Sequence, residues 1–376
     1  MRSYREIALE RPGDGFKAYL IVEPTDRSVS FGGTRIDPSV TREMVADLAE
    51  NMSLKLAGHG SPVGGAKAGI CVSAGDPRLT QFLHEFAAAC RDVLSSSTIL
   101  GKDMGAKQWM LDEIYAALQI PQLAVARQCS GSSACPDRLF ELDGYIPNMT
   151  GQGVFWAIDQ ALGGAVRGTR VLIQGFGTVG AGVACHLAGA GAALVGVNDS
   201  QKAIVNEHGL PVEALLAATD DHGLVDPSRL PGSCAIAERD GLLTRRADVL
   251  VLAAGSYLID HEMAAQIEAP LVVEAANLAL TPTARTTLHA RDVRVIPDVV
   301  ANSASAALVG HQIAAGNTRC PRELWADIER NIRDNTEAVH RLSRELGLDS
   351  KAAFCRLVAA ARQRRDAAHA AGAYAG

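Results

Sequence analysis

A strand, a glycine turn, a helix and a second strand in immediate succession constrain this chain more than any other stretch of it. Arg170-Val171-Leu172-Ile173-Gln174 reads as a strand and Gly175-Phe176-Gly177-Thr178-Val179-Gly180 as the turn; an alanine-rich helix follows, then a strand over 193–197. Parallel strands joined by a helix require a sheet covered on both faces, and further strand-like runs at 249–252, 271–274 and 293–296, with helical stretches between, supply it. The middle of the chain is read as a doubly wound α/β domain.

Gly175, Gly177 and Gly180 form G-x-G-x-x-G between strand and helix, where missing side chains let the backbone meet a pyrophosphate at the helix N-terminus. Asp199 follows Gly180 by 19 residues and closes the second strand, where a carboxylate can accept hydrogen bonds from the adenosine ribose hydroxyls. The plain alternative is a packing turn, with Asp199 merely capping the segment from Ser200. The combination implies a dinucleotide, with Phe176, Thr178, Val179 and Ser200 also in the binding set. Asp199 favours NAD because it repels a 2′-phosphate, while Lys202 softens that repulsion and leaves NADP open.

At 376 residues the chain exceeds the size at which one hydrophobic core stops growing, so two domains are expected. The formal net charge of -6 offers no general attraction to nucleic acid or anionic lipid. Eight scattered cysteines form no CxxC pair, so neither a metal site nor a disulfide framework is expected. The N-terminus lacks the apolar stretch of a signal peptide, and no run approaches the roughly 20 apolar residues of a membrane helix. A cytoplasmic location with reduced thiols is the expectation.

Ahead of the central domain, 16–22 reads as a strand and Gly32-Gly33 as a turn. A helix over 41–57 carries Met44, Val45, Leu48, Ala49, Met52 and Leu56 at helical spacing, with Thr41 as N-cap and Lys55 near its end. Residues 128–136 read as a loop. From Pro321 helical periodicity returns, and the small-residue tail over 367–376 is expected to fray. The expected division is 1–148 as an α/β substrate domain joined by C-terminal helices over 318–376, and 149–317 as a Rossmann-type dinucleotide domain, with a cleft between them.

Two lysines and a carboxylate carry chemistry by context. Lys67 is hemmed by Gly64-Gly65-Ala66 and Ala68-Gly69, twelve residues after Lys55. A lysine in a tight small-residue loop is partly desolvated, which lowers its pKa toward neutrality and suits it to proton transfer. A solvated lysine on a turn is the equal alternative. Asp103 could hold a proton or simply cap the helix that includes Trp109, Met110 and Ile114.

Together these segments resemble the glutamate/leucine/phenylalanine/valine dehydrogenase family. Gly32-Gly33-Thr34-Arg35, Lys55, Gly65-Ala66-Lys67, Asp103, Thr150-Gly151-Gln152-Gly153-Val154, the Gly175 to Gly180 turn, Glu274-Ala275-Ala276-Asn277 and Pro297-Asp298-Val299-Val300-Ala301-Asn302 occur in the family's order. The resemblance implies that Lys55 binds the substrate α-carboxylate, with Gly32 also in the substrate-binding set, that Lys67 activates water and that Asp103 relays protons to and from the substrate nitrogen. Thr150, Ala253, Ala254 and Asn277 would line the nicotinamide end, with Asn302 at the amino group. Symmetric homo-oligomers are also implied.

In the glutamate-specific branch a lysine precedes the G-G pair and a serine lies in the helix after the A-N motif. Here those positions hold Phe31 and Val309, with Ala306 and Leu308 on the same face. An unpaired carboxylate buried there would cost about 3 kcal/mol or more, so the expected substrate is an apolar amino acid, aliphatic or aromatic. The chain departs from the family at Ser303-Ala304-Ser305, usually alanine-glycine-glycine, and at Leu252-Ala253-Ala254, which lacks a proline. Two other readings compete: an oxidoreductase of 2-hydroxy and 2-oxo acids without ammonia, and a non-catalytic NAD-binding regulator. Lys67 and Asp103 argue against both.

Overall fold

The computed structural model describes residues 4–373 apart from 14, 24–28, 127–147, 221 and 316–319. The loop expected at 128–136 lies outside the described residues. Two compact units divide the chain: Met1–Tyr145 with Ala306–Ile328, and Ile146–Ser305 with Glu329–Gly376.

The first unit runs β1 (Arg5–Glu10), β2 (Lys17–Val22), β3 (Ser30–Ile36), α1 (Arg42–Gly58), β4 (Gly64–Cys71), α2 (Leu79–Ser96), β5 (Thr98–Lys102) and α3 (Gln108–Leu118). Its sheet has the order β1-β2-β4-β3-β5, antiparallel through the first three strands and parallel from β4 to β5. Strand alternation sorts the two faces. Leu20, Ala66, Ala68 and Ile70 pack with Phe82 and Phe86 of α2 and with Met110 and Ile114 of α3. Tyr19 and Ile21 point the other way, to Val45 and Ala49 of α1. Thr41 caps α1 as expected, its Oγ1 accepting from Met44 N at 3.2 Å.

The glycine pairs do not turn the chain. Gly32 and Gly33 lie inside β3, and Lys67 lies inside β4 rather than in a loop. Their glycines permit close approach instead. A Cβ on Gly32 would fall 1.6 Å from Ala66 O, and one on Gly65 would fall 2.3 Å from Ser53 N of α1.

The second unit contains α4 (Met149–Ala161), β6 (Arg170–Gln174), α5 (Thr178–Gly189), β7 (Ala193–Asn198), β8 (Ala203–Val205), α6 (Val212–Ala218), β9 (Ala235–Ala237), β10 (Val249–Leu252), α7 (His261–Gln266), β11 (Leu271–Glu274), α8 (Pro282–Ala290), β12 (Arg294–Ile296) and α9 (Asp298–Ala301). Then come α10 (Ala304–Ala315), α11 (Pro321–Leu346) and α12 (Ser350–Ala373). Its sheet order is β12-β11-β10-β6-β7-β8-β9, parallel from β12 to β7, with β8 and β9 antiparallel at one edge. β6 sits between β7 and β10, so the crossovers leave it in opposite directions. That is the topological switch point at which open α/β sheets bind ligands.

The C-terminal helices divide differently from the expectation. Residues 306–328 join the first unit, but 329 onward belongs with the dinucleotide sheet. The reason is a set of specific anchors: Arg333 Nη1 meets Asp159 Oδ2 of α4 at 2.7 Å, and α12 packs beside β12. The tail expected to fray is helical through Ala373. No helix among the described residues is long and apolar enough to cross a membrane.

Candidate active site

In the first unit, parallel pairing sets Thr34 opposite Lys102, so Arg35 and Asp103 emerge together at the ends of β3 and β5. Lys67 comes from the neighbouring β4. Lys67 Nζ lies 2.8 Å from Asp103 Oδ2, and Arg35 Nε lies 2.9 Å from the same oxygen. Lys67 and Arg35 are 5% and 4% exposed. Gly33 makes the space, since a Cβ there would come within 2.9 Å of Asp103 Cβ and 3.3 Å of Lys67 Nζ.

Asp103 is therefore not the cap of α3, a position held by Lys107. Burial alone would raise the Asp103 pKa, but the Lys67 and Arg35 charges more than offset it and hold the carboxyl below its ordinary value. Burial pushes the Lys67 ammonium down; Asp103 opposes that shift and Arg35 adds to it. The two downward shifts agree, because one carboxylate shared by two cations leaves Lys67 as the group that most easily gives up a proton. The sequence reading missed Arg35 as a site residue; its only signal was the G-G-x-R spacing.

Lys55 is buried in the last turn of α1. Phe31 and Val309 belong to one apolar cluster with Val29, Leu56, Ile99 and Ile313. The Phe31 ring lies over Gly101, where a Cβ would meet Cε2 and Cζ at 3.1 Å. Ala306 is half-buried nearby in sequence, and Leu308 is buried.

In the second unit Gly175 has φ +89°, and its backbone passes so close to Ala253 and Ala254 that a Cβ would lie 2.6 Å from Ala254 Cα. A Cβ on Gly180 would fall 2.0 Å from Gly175 O, whereas one on Gly177 would project into open space. No side chain caps α5, which begins at Thr178, so its first amide groups are left for an anion. Phe176 is buried, leaving only its backbone for a ligand. This cradle fits a dinucleotide pyrophosphate.

Asp199, the expected ribose partner, is engaged within the protein through both carboxylate oxygens. Its Oδ1 accepts from Gln201 N at 2.7 Å and Lys202 N at 2.9 Å, while Oδ2 accepts from Val225 N at 3.0 Å and pairs with Lys202 Nζ at 3.2 Å. Ser200 beside it is exposed. The carboxylate thus pins two loops, and its side chain is only 1% exposed.

Asn277 and Asn302 do meet: Asn302 Nδ2 donates to Asn277 Oδ1 at 3.1 Å and to Ala275 O at 2.9 Å. Asn302 Oδ1 is buried with no hydrogen-bond partner among the described residues. A buried acceptor left so is costly unless a ligand N–H satisfies it, which suits a substrate amine or a nicotinamide carboxamide. The loop carrying Asn277 is braced from below. Leu278 N donates to Asp298 Oδ2 at 2.7 Å, Leu280 N donates to Glu274 Oε1 at 3.0 Å, and Arg285 Nη2 holds Glu274 Oε1 at 2.8 Å. Thr150 Oγ1 lies 2.9 Å from Ser305 Oγ. Asn148, also missed from sequence, accepts from Gly151 N through Oδ1 and donates through Nδ2 to Thr178 O, tying the start of α4 to α5.

A dinucleotide cradle at a switch point, with a buried lysine–aspartate pair on a second α/β unit, defines a nicotinamide-dependent oxidoreductase. The family model of Glutamate/Leucine/Phenylalanine/Valine dehydrogenase matches residues 145–370, and that of the Glu/Leu/Phe/Val dehydrogenase dimerisation domain matches 6–119. The chain belongs to the Glu/Leu/Phe/Val dehydrogenase family, and is an NAD(P)-dependent amino-acid dehydrogenase. It is 31% identical over 299 residues to NADP-specific glutamate dehydrogenase A1 of Halobacterium salinarum, covering 77% of this chain and 70% of that protein. It is likewise 31% identical over 279 residues to catabolic NAD-specific glutamate dehydrogenase RocG of Bacillus subtilis, covering 72% of this chain and 64% of that one. Its fold is similar to the hetero-hexameric glutamate dehydrogenase of Thermus thermophilus in its Leu-bound form, at TM-score 0.73 and 29% identity over 96% of this chain and 89% of that chain.

Proposed function

We propose that this protein is a cytoplasmic homo-oligomer that interconverts an apolar L-amino acid with its 2-oxo acid and ammonium, using NAD or NADP. The observation that carries the substrate class is the shared apolar cluster of Phe31 and Val309. A glutamate side-chain carboxylate brought against it would be desolvated without a cation, at a cost of about 3 kcal/mol or more. The relatives named as glutamate dehydrogenases make glutamate the competing substrate, and the two differ in the cation that Phe31 replaces.

The Gly175 to Gly180 cradle would hold the pyrophosphate of a nicotinamide dinucleotide, which when bound would supply the hydride acceptor that turns the amino acid into a 2-imino acid. Lys55 holds the α-carboxylate by charge. Lys67, neutral, takes a proton from water as the water oxygen bonds to the imine carbon. Asp103 delivers a proton to the nitrogen, the C–N bond breaks, and ammonium leaves with the 2-oxo acid. Amino acid, water and oxidised cofactor thus yield 2-oxo acid, ammonium, reduced cofactor and one proton. Asn302 Oδ1 and the Asn277 loop orient the reacting nitrogen and the carboxamide, which is where binding geometry lowers the barrier.

NADH oxidation in ammonium buffer against 2-oxoglutarate, 4-methyl-2-oxopentanoate, phenylpyruvate and indole-3-pyruvate tests the reading. Ammonium-dependent turnover of an apolar acid is expected, and preference for 2-oxoglutarate would overturn the substrate class. Turnover without ammonium would instead indicate hydroxy-acid chemistry.

A further inference from the structure

Both cations of the buried cluster bind the same oxygen of Asp103. Lys67 Nζ and Arg35 Nε lie 2.8 and 2.9 Å from Oδ2, and Oδ1 carries no hydrogen bond among the described residues. Arg35 is fixed from behind, with Nη1 donating to Met44 Sδ of α1 at 3.6 Å. Asp103 keeps 17% of its side chain accessible, so Oδ1 is reachable while Oδ2 is engaged.

We infer that Arg35 is the positioning residue of this site: it locks Asp103 through Oδ2, leaves Oδ1 to exchange a proton with the substrate nitrogen, and keeps Asp103 paired when Lys67 gives up its proton. The inference rests on the proton-carrying roles proposed for Lys67 and Asp103.

The charge argument is direct. With Lys67 and Asp103 alone the buried pair is neutral, and deprotonating Lys67 would strand a carboxylate out of water. With Arg35 present the cluster goes from one net positive charge to neutrality, so proton loss relieves repulsion. Arginine can do this because it stays protonated throughout, whereas a second lysine could itself titrate. The burial that lowers Lys67 is opposed by Asp103, and the Arg35 charge restores the balance toward the neutral amine. The proton step is reversible: an N–H bond of the substrate ammonium breaks as an O–H bond forms at Oδ1, and the reverse occurs on product release.

The sign for pH follows. In deamination Lys67 acts as base only when neutral, so that step accelerates as pH rises through its folded pKa, which lies below the ordinary 10.5; in ammonium-dependent amination it must be protonated to return the proton to the departing hydroxyl, so the rate falls over the same range. Removing Arg35 moves that midpoint up.

The test compares the full-length wild type with Arg35→Met and Arg35→Lys. Lys67 is titrated in protein carrying lysine labelled with carbon-13 at Cε, assigned with Lys67→Met, and the pH profile of ammonium-dependent kcat is recorded alongside. Arg35→Met should raise the Lys67 midpoint and the basic limb together by about one unit or more, a tenfold or greater change in proton affinity. Arg35→Lys should keep most of the midpoint but lose about tenfold in kcat with KM little changed, because an ammonium cannot hold Oδ2 with the same directionality. An unmoved midpoint in Arg35→Met, or wild-type kcat in Arg35→Lys, overturns the inference. Should Arg35→Met fail to fold, Arg35→Gln carries the same charge test. The resonance titration needs no substrate, so a wild type inactive on every 2-oxo acid would sink the proposed reaction while the midpoint still decides on Arg35.

Discussion

Thr150 Oγ1 and Ser305 Oγ lie 2.9 Å apart, one hydroxyl donating to the other. Ser305 stands in the stretch where the family pattern has glycine, and the departure is accommodated residue by residue. Ser303 Oγ donates to Val300 O at 2.8 Å. Ala304 is fully buried against Gly153, where a Cβ would meet the Ala304 Cβ at 2.8 Å. The added side chains have thus been given partners, which argues against a degenerate, non-catalytic site.

Ser305→Ala should therefore cost about 1 kcal/mol of stability, the net value of one hydrogen bond, read from the urea midpoint at unchanged slope. Thr150→Ala should lose the same bond and also weaken NADH binding, followed by the quenching of protein fluorescence. Equal NADH affinity in the two variants would show that the Thr150 hydroxyl serves Ser305 alone.

Phe31→Lys combined with Val309→Ser should move preference toward 2-oxoglutarate by at least about tenfold in relative kcat/KM, since a buried cation then awaits a carboxylate. Phe31→Lys by itself places an unpaired ammonium among Leu56, Ile99 and Val309, at a cost of about 3 kcal/mol. Its thermal midpoint should recover partly when 2-oxoglutarate is added. No recovery and no shift in preference would mean that this cluster does not face the substrate side chain.

Glu274→Gln should destabilise the dinucleotide unit by about 3 kcal/mol, because Arg285 is left buried without its counter-charge. The pair is nearly inaccessible, with side chains 0% and 8% exposed. Glu274→Gln with Arg285→Met should restore much of the loss, and a double-mutant cycle gives the coupling. Simple additivity of the two single losses would contradict the pairing.

Much of the dinucleotide sheet was legible because its parallel strands are short apolar runs set between helical stretches. Val249–Leu252 and Leu271–Glu274 are found with their read boundaries. The first unit was less legible for one physical reason. Glycine signals a turn when it supplies positive φ, but Gly32, Gly33 and Gly65 serve to let strand meet strand and helix meet strand. That function has no local signature, so β3 and β4 read as turn and loop. Arg35 was hidden for a similar reason, since its partner Asp103 is 68 residues away in sequence and adjacent only through β-pairing.

Asp199→Ala should behave as a loop mutation more than as a switch of cofactor. Its carboxylate holds the amides of Gln201, Lys202 and Val225, so the loss releases three backbone donors and leaves Lys202 without its partner. A drop of about 2 kcal/mol in stability is expected, with NADH and NADPH affinities falling together. A selective gain for NADPH would show instead that the carboxylate turns outward to read the ribose, as its position 19 residues after Gly180 suggests.

Gly33→Ala tests how tightly the proton-transfer cluster is packed. The new methyl would lie 2.9 Å from both Asp103 Cβ and Lys102 O and 3.3 Å from Lys67 Nζ, and the backbone carbonyl cannot swing aside as a long side chain could. β3 and β5 are paired at Gly33 and Gly101, so the strain must be taken up by displacing Asp103. A shift of about 1 Å at a reacting group is enough to lower kcat about a hundredfold, while an overpacked site costs about 1–3 kcal/mol of stability. The dinucleotide cradle lies in the other unit, so NADH affinity should be preserved. Near-normal kcat in a folded Gly33→Ala protein would mean that Asp103 does not need its observed position to move protons.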